Sequence, residues 1–153
     1  MSDYDGKYWL NGYKLGPFKL VKTMKPFPEV PLFSLFDNTV ARISNKSACD
    51  YLGRKITWKE MGIYVDTLAT ALAALGVKKG DKVATILPTS PQFVISDYAI
   101  LKTGAAHVPC SLLHKAHDLI WEIGESGAET IICSDQSFEL IASIKDQTKL
   151  KSI

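Results

Sequence analysis

Cys110, His114 and His117 lie close together in the sequence, and their side chains suit two kinds of chemistry. As metal ligands, His114 and His117 at i, i+3 can share one helical face while Cys110 lies one loop earlier; thiolate and imidazole both bind zinc. No fourth ligand is evident. As a nucleophile pair, a Cys110 thiolate beside a helix start and a neighbouring histidine could attack an acyl or phosphoryl group, given a third residue to orient the base. No such residue announces itself. The plainer reading is that polar side chains gather where a helix begins. His107 stands inside the apolar run Ala105–Pro109 and reads as a partly buried histidine with one satisfied hydrogen bond.

Phosphate-binding loops of the usual kinds are missing. Neither GxxxxGK[ST] nor GxGxxG occurs, and the run from Gly76 to Lys82 (GVKKGDK) has the composition of a charged turn. Lys19, Lys22 and Lys25 interleave with Phe18 and Phe27, but 18 Lys+Arg against 16 Asp+Glu leave a net charge of only +2. Nucleic acid is therefore not an expected partner. Cys49, Cys110 and Cys133 are odd in number and form no CxxC pair, which argues against a disulfide framework or zinc knuckle and for a reducing, cytoplasmic location. No stretch approaches the roughly 18 apolar residues of a spanning helix.

The elements that must position these residues follow from local pattern. With 153 residues, 46% of them apolar, the chain can bury roughly 70% of its unfolded surface, enough for a core without staples. Residues 1–31 read as an extended arm: Pro17, Pro26, Pro28 and Pro31 crowd its second half, and each removes a backbone donor. Leu32, Leu35, Phe36, Val40 and Ile43 follow helical rows to about Ser44. Ala48–Leu52 and Lys55–Thr57 flank Gly53-Arg54 as a small hairpin. Thr57-Trp58-Lys59-Glu60 fits a capping box, behind which Met61, Val65, Leu68, Leu72 and Leu75 form one stripe and Gly76 a stop.

Strands and helices then alternate. Lys82–Leu87, Ala105–Pro109 and Thr130–Cys133 read as buried strands. Between and after them come helices from Pro91 to about Thr103, capped by Ser90, from Lys115 to Ser126, stopped by Gly127, and from Asp135 to about Lys145. This order predicts an α/β fold with a mostly parallel sheet covered on both faces. In such a sheet, ligands bind beyond the carboxyl ends of the strands. Thr89, Ser90, Ser111 and His114 lie in the loops at those ends and are the candidate substrate-binding residues.

Four stretches carry a family resemblance. ITWKEM (Ile56 to Met61), LATALAALGVKKGDKVATILPTSPQFV (Leu68 to Val94), LKTGAAHVPCS (Leu101 to Ser111) and LIWEIGESGAETII (Leu119 to Ile132) occur in the order and spacing of the N-terminal part of the adenylate-forming, AMP-binding superfamily. That superfamily comprises acyl-CoA synthetases, luciferases and peptide-synthetase adenylation domains. The Leu52-Gly53-Arg54 hairpin and the aromatic leader resemble medium- or long-chain fatty-acid–CoA ligases more than peptide synthetases. Cys110-Ser111-Leu112 departs from the family's usual Leu-Asn-Pro, and His114 stands where an aromatic or small polar residue is usual.

The resemblance implies that residues 32–153 are part of the N-terminal α/β domain of a longer ligase. Such an enzyme uses ATP and Mg2+ to turn a fatty acid into an acyl-adenylate, then transfers the acyl group to CoA. The phosphate-gripping loop, the magnesium and adenine motifs and the C-terminal lysine of that family do not occur in this chain, which implies a fragment that catalyses neither step, binds no cofactor of its own and has the remainder of its parent enzyme as partner. A domain cut from its parent should also self-associate weakly through an apolar face. The competing reading is a standalone binding or interaction module that keeps the scaffold without the catalysis.

Overall fold

The computed structural model describes residues 25–153 of the chain. The arm expected over residues 1–31 lies for the most part outside them. The first helix, α1 (Leu32–Ile43), turns Phe36 inward, where its ring stacks on Tyr98 at 4.3 Å and meets the edge of Trp58 at 5.9 Å. An antiparallel hairpin follows, β1 (Ser47–Tyr51) and β2 (Arg54–Thr57). Its turn is Leu52-Gly53, one residue earlier than the sequence suggests, and Arg54 already pairs with Tyr51. Both turn residues have positive φ, +52° and +80°, as a two-residue turn matched to strand twist requires. Leu52 accepts that conformation with its side chain in solvent.

Helix α2 (Trp58–Ala74) begins at the expected capping box. The Thr57 hydroxyl accepts the Glu60 N–H at 3.2 Å, and Glu60 Oε2 accepts the Thr57 N–H at 2.8 Å. These bonds, the one from the Thr57 backbone foremost, hold the Glu60 carboxyl below its ordinary pKa. At the far end the Gly76 N–H reaches the Ala73 carbonyl and the Val77 N–H the Leu72 carbonyl, both at 3.0 Å, a Schellman closure with Gly76 at φ +93°. Leu75 leaves the predicted stripe: it is the residue after the last helical turn and is 65% exposed.

The remaining elements are β3 (Lys82–Ile86), α3 (Pro91–Thr103), β4 (Ala106–Pro109), α4 (Ala116–Ser126), β5 (Thr130–Cys133) and α5 (Asp135–Ile144), followed by a 3-10 turn (Lys145–Gln147). The bounds of these strands and α-helices lie within one residue of those read from pattern; β3 stops at Ile86, short of Leu87. Ser90 caps α3, and Gly104 ends it in the left-handed region. At φ +80° a side chain at Gly104 would be strained and would press on the Lys79 backbone at 3.1 Å, so glycine suits this close approach of helix and turn.

The three-stranded sheet is parallel, in the order β4-β3-β5. Side chains alternate across it. Val83 joins Phe36, Met61, Val65, Leu72, Ala99 and Ile100 on the face covered by α1, α2 and α3. Ala84 and Ile86 join Leu119, Ile123, Ile131, Ile141 and Ile144 on the face covered by α4 and α5. Among the described residues no helix is long and apolar enough to cross a membrane.

One ion-pair cluster ties the first face together. Lys102 on α3 reaches Asp37 on α1 at 2.6 Å and Asp66 on α2 at 2.5 Å, with Nζ 5.9 Å from the Phe36 ring centroid. Burial lowers the ammonium pKa, but the hydrogen bonds and charges of the two aspartates outweigh it and leave the group raised. Stability from this cluster is therefore complete below the ordinary lysine range and is lost as pH rises through the folded-state value. Lys102→Ala should cost no more than about 1 kcal/mol, because the aspartates it leaves behind are solvated. Urea unfolding of Lys102→Ala with and without Asp66→Asn checks this: the cluster predicts coupling between the two changes.

Candidate functional site

The carboxyl edge of the sheet is formed by the loops that leave β3, β4 and β5. The Cys110 N–H donates to the Thr85 carbonyl at 2.7 Å and the Ser134 N–H to the Ile86 carbonyl at 3.4 Å, so the outer two loops start beside the end of β3. Thr89 and Ser90 follow β3, and Ser111 and His114 follow β4, which puts all four candidate residues on this edge. Thr89 is exposed. Ser90 is buried, and its hydroxyl accepts the Phe93 N–H at 3.3 Å as the cap of α3. The Ser111 hydroxyl accepts the Leu113 N–H at 3.2 Å, shaping the turn. His114 holds Glu122 on α4 through Nδ1 at 3.0 Å. Each of these bonds stays within its own loop and the helix that follows, and none joins the two loops.

Neither chemistry first considered for Cys110, His114 and His117 is assembled. His117 is 97% exposed and lies 3.8 Å from the neighbouring Asp118, while Cys110 is turned into the core beneath α4. Among the described residues no group of three His, Cys, Asp or Glu side chains is arranged to hold a metal ion. Burial, then the charge of Glu122 and a hydrogen bond to it, push the Cys110 thiol up to about 12. The sulfur is thus a protonated donor at neutral pH, the reverse of an activated nucleophile. Glu122 was not legible as a member of this cluster; the sole hint is that Asp118 and Glu122 share a helical row facing back along the loop.

His107 has two partners where the sequence suggests one. Nδ1 lies 2.7 Å from Asp97 Oδ1, and Nε2 lies 2.8 Å from the Thr85 hydroxyl. An acid, an imidazole and a hydroxyl in line have the order of a nucleophilic relay. Thr85, however, is only 1% exposed in the central strand, and the Phe93 ring lies 5.5 Å from the imidazole. No substrate reaches that hydroxyl, and the relay serves to satisfy polar groups inside the core.

Three cavities flank the elements of this fold, and none of them is lined by the four candidate residues. One of about 430 Å³ is at the opposite, amino edge of the strands, between Lys78, Lys82, Glu129 and Lys151. A second, of about 500 Å³, runs from Leu68 and Leu75 to Cys133 and Phe138. A third, of about 480 Å³, lies between the hairpin and the start of α3, lined by Tyr51, Arg54, Tyr64 and Gln92. The second cavity reaches the carboxyl edge at Cys133, Ser134 and Asp135, and the third reaches it at Pro91 and Gln92, directly after Ser90. The thiol chemistry gives a direct expectation: at neutral pH Cys110 in the folded protein resists iodoacetamide, and added zinc leaves Tm unchanged. Mass spectrometry of the alkylated peptides and a thermal melt check the two.

Comparison with known proteins converges on one group. A profile of the AMP-binding enzymes matches residues 36–153. A long-chain-fatty-acid–CoA ligase of Bacillus subtilis is 32% identical over 120 residues, covering 78% of this chain and 21% of that protein. The corresponding Escherichia coli ligase is 26% identical over 148 residues, 96% of this chain and 26% of that protein. Malpibaldin synthetase of Mortierella alpina is 34% identical over 115 residues, 74% of this chain and 2% of that protein. Among solved structures, a long-chain-fatty-acid–CoA ligase of Archaeoglobus fulgidus superposes with TM-score 0.79 at 20% identity, over 89% of this chain and 29% of that one. The chain therefore spans about a quarter or less of the length of these curated ligases. The profile covers well over half of the chain, in the region that holds the parallel sheet: this chain belongs to the AMP-binding enzyme family.

Proposed function

We propose that this chain is the amino-terminal part of an AMP-forming acid–CoA ligase whose substrate is a fatty acid. The observation that carries the reading is the likeness to the Escherichia coli fatty-acid–CoA ligase along 96% of the chain, which extends through the Leu52-Gly53-Arg54 hairpin. In the whole enzyme, carboxylate and ATP give acyl-adenylate and pyrophosphate. The thiol of CoA then attacks the acyl carbon, releasing AMP and forming the thioester. Thr89, Ser90, Ser111 and His114, on loops at the carboxyl edge, supply hydrogen bonds to the ligand there.

Neither half-reaction is expected of these residues alone. Charge developing on the transferring phosphoryl group needs cationic clamps and a metal. The described residues bring no three carboxylate, thiol or imidazole groups together for one. They do not fit the magnesium ion, and no step is assigned to it in this chain; its ligands belong to other parts of the ligase.

Two measurements test the reading together. Calorimetry of the 153-residue chain with millimolar ATP should show no saturable binding, and clear saturation would overturn the division of labour proposed here. The native polypeptide, captured from its source by antibody, should be several times heavier than 16.9 kDa and catalyse fatty-acid-dependent ATP–pyrophosphate exchange. A native mass equal to that of this chain, with no exchange, would favour a standalone binding module on the same scaffold.

A further inference from the structure

The cavity of about 480 Å³ between the hairpin and the start of α3 has the size of a small-ligand site. Tyr51 and Arg54, the pair that closes the hairpin turn, stand directly opposite each other and so project from one face of the hairpin, which Ile56 shares two residues on. Tyr64 meets them from α2, and Pro91, Gln92 and Ile95 from the first turns of α3. Ile56 and Pro91 are buried, whereas Tyr51, Arg54, Tyr64 and Gln92 are exposed. An apolar floor thus carries a polar rim.

Much of that rim is unengaged. Arg54 donates to the Tyr64 hydroxyl at 3.4 Å, and among the described residues no carboxylate forms an ion pair with its guanidinium. Glu60 feels the Arg54 charge, but its Oε2 is taken by the Thr57 N–H and hydroxyl, both at 2.8 Å. The Tyr51 hydroxyl and the Gln92 amide have no hydrogen-bond partner among the described residues. Most of the forked N–H donors of the guanidinium are therefore available, in a geometry that matches a carboxylate. Arg54 is also the sole charged residue among those lining the cavity. A single positive charge complements a single negative one, and an aliphatic floor complements a hydrocarbon chain; a polyphosphate or a sugar matches neither.

We propose that this cavity binds an alkyl monocarboxylate, whose carboxylate accepts hydrogen bonds from Arg54 and the neutral donors of the rim while its chain covers Ile56, Pro91 and Ile95. The site uses none of Thr89, Ser90, Ser111 and His114. It does not depend on the ligase reading, since a chain with no adenylating activity would carry the same cavity. In a ligase it would be a seat for acid apart from the loops of those four residues.

The test titrates octanoate into the 153-residue chain at neutral pH, where the carboxyl is ionised, without ATP or CoA. Calorimetry should show saturable binding, and the Ile56 and Ile95 methyl resonances should shift while those of Ile131 and Ile132, which line the cavity beside β5, do not. Octanol, which lacks the charge, and acetate, which lacks the chain, should each bind at least about tenfold more weakly. Arg54→Gln should weaken octanoate binding by a similar factor, as loss of a charged hydrogen-bond partner predicts. Gln92→Glu puts a carboxylate on the same rim at an exposed position in the first turn of α3, where an acid favours the helix; the fold should be kept and octanoate binding lost. The proposal is overturned by absence of saturation, by octanol binding as tightly as octanoate, by affinity that both variants leave unchanged, or by shifts at Ile131 and Ile132 in place of Ile56 and Ile95. ATP–pyrophosphate exchange by the native protein is read separately, so failure here leaves the ligase reading standing.

Discussion

The whole arrangement depends on β3. It is the middle strand of a parallel sheet, so both of its faces must be covered, and Val83, Ala84, Thr85 and Ile86 are all at most 1% exposed. Val83 belongs to one core and Ala84 and Ile86 to the other. A single strand of five residues thereby couples two helical layers that otherwise share little. The connections follow from it: α3 joins β3 to β4 across one face, and α4 carries the chain from β4 past β3 to β5 across the other. Parallel neighbours cannot be joined by tight turns, so the central strand obliges the chain to wind helices over both sides.

The same constraint explains the two polar clusters. Thr85 is the one hydroxyl in the fully buried stretch of β3, and a buried hydroxyl without a partner costs about 1–3 kcal/mol. His107, on the neighbouring strand, supplies the partner and is itself held by Asp97 on the covering helix. At the strand ends the requirement relaxes, and polar residues accumulate as caps and turns: Ser90 for α3, Ser111 for its own loop, His114 with Glu122. Hydroxyls engaged in this way shape the loops and are poorly formed for attacking anything. Cys110 makes the contrast plain, since burial, reinforced by the nearby Glu122 that might have suggested a relay, keeps its thiol protonated. The Cys110-Ser111-Leu112 stretch thus packs its thiol into the core and presents no activated nucleophile.

Sequence reasoning succeeded where the determining forces are local. The capping box at Thr57 and Glu60, the proline after Ser90 and the stops at Gly76 and Gly127 each satisfy or redirect backbone groups within one helical turn, so spacing alone reveals them. Where it erred, the cause lies a step farther out. The hairpin turn moved to Leu52-Gly53 because two successive residues had to take positive φ to match strand twist, a demand of the pair of strands. Leu75 left its stripe because it is the cap residue of α2, at the end of the helix, where the described residues leave it 65% exposed.

The amino-acid sequence by itself determined the order and kind of the α-helices and strands from Leu32 onward, though not the 3-10 turn at Lys145–Gln147, together with the alternation that makes the sheet parallel and the loops on which Thr89, Ser90, Ser111 and His114 lie. Only the tertiary structure decided who meets whom across those elements. Asp97 and Thr85 converge on His107, Glu122 reaches Cys110 and His114, and Lys102 gathers Asp37 and Asp66. Periodicity records which side of a helix or strand is apolar, because burial acts on each residue separately. It holds no record of partners brought together by crossovers, because those distances are fixed by how the layers pack on β3.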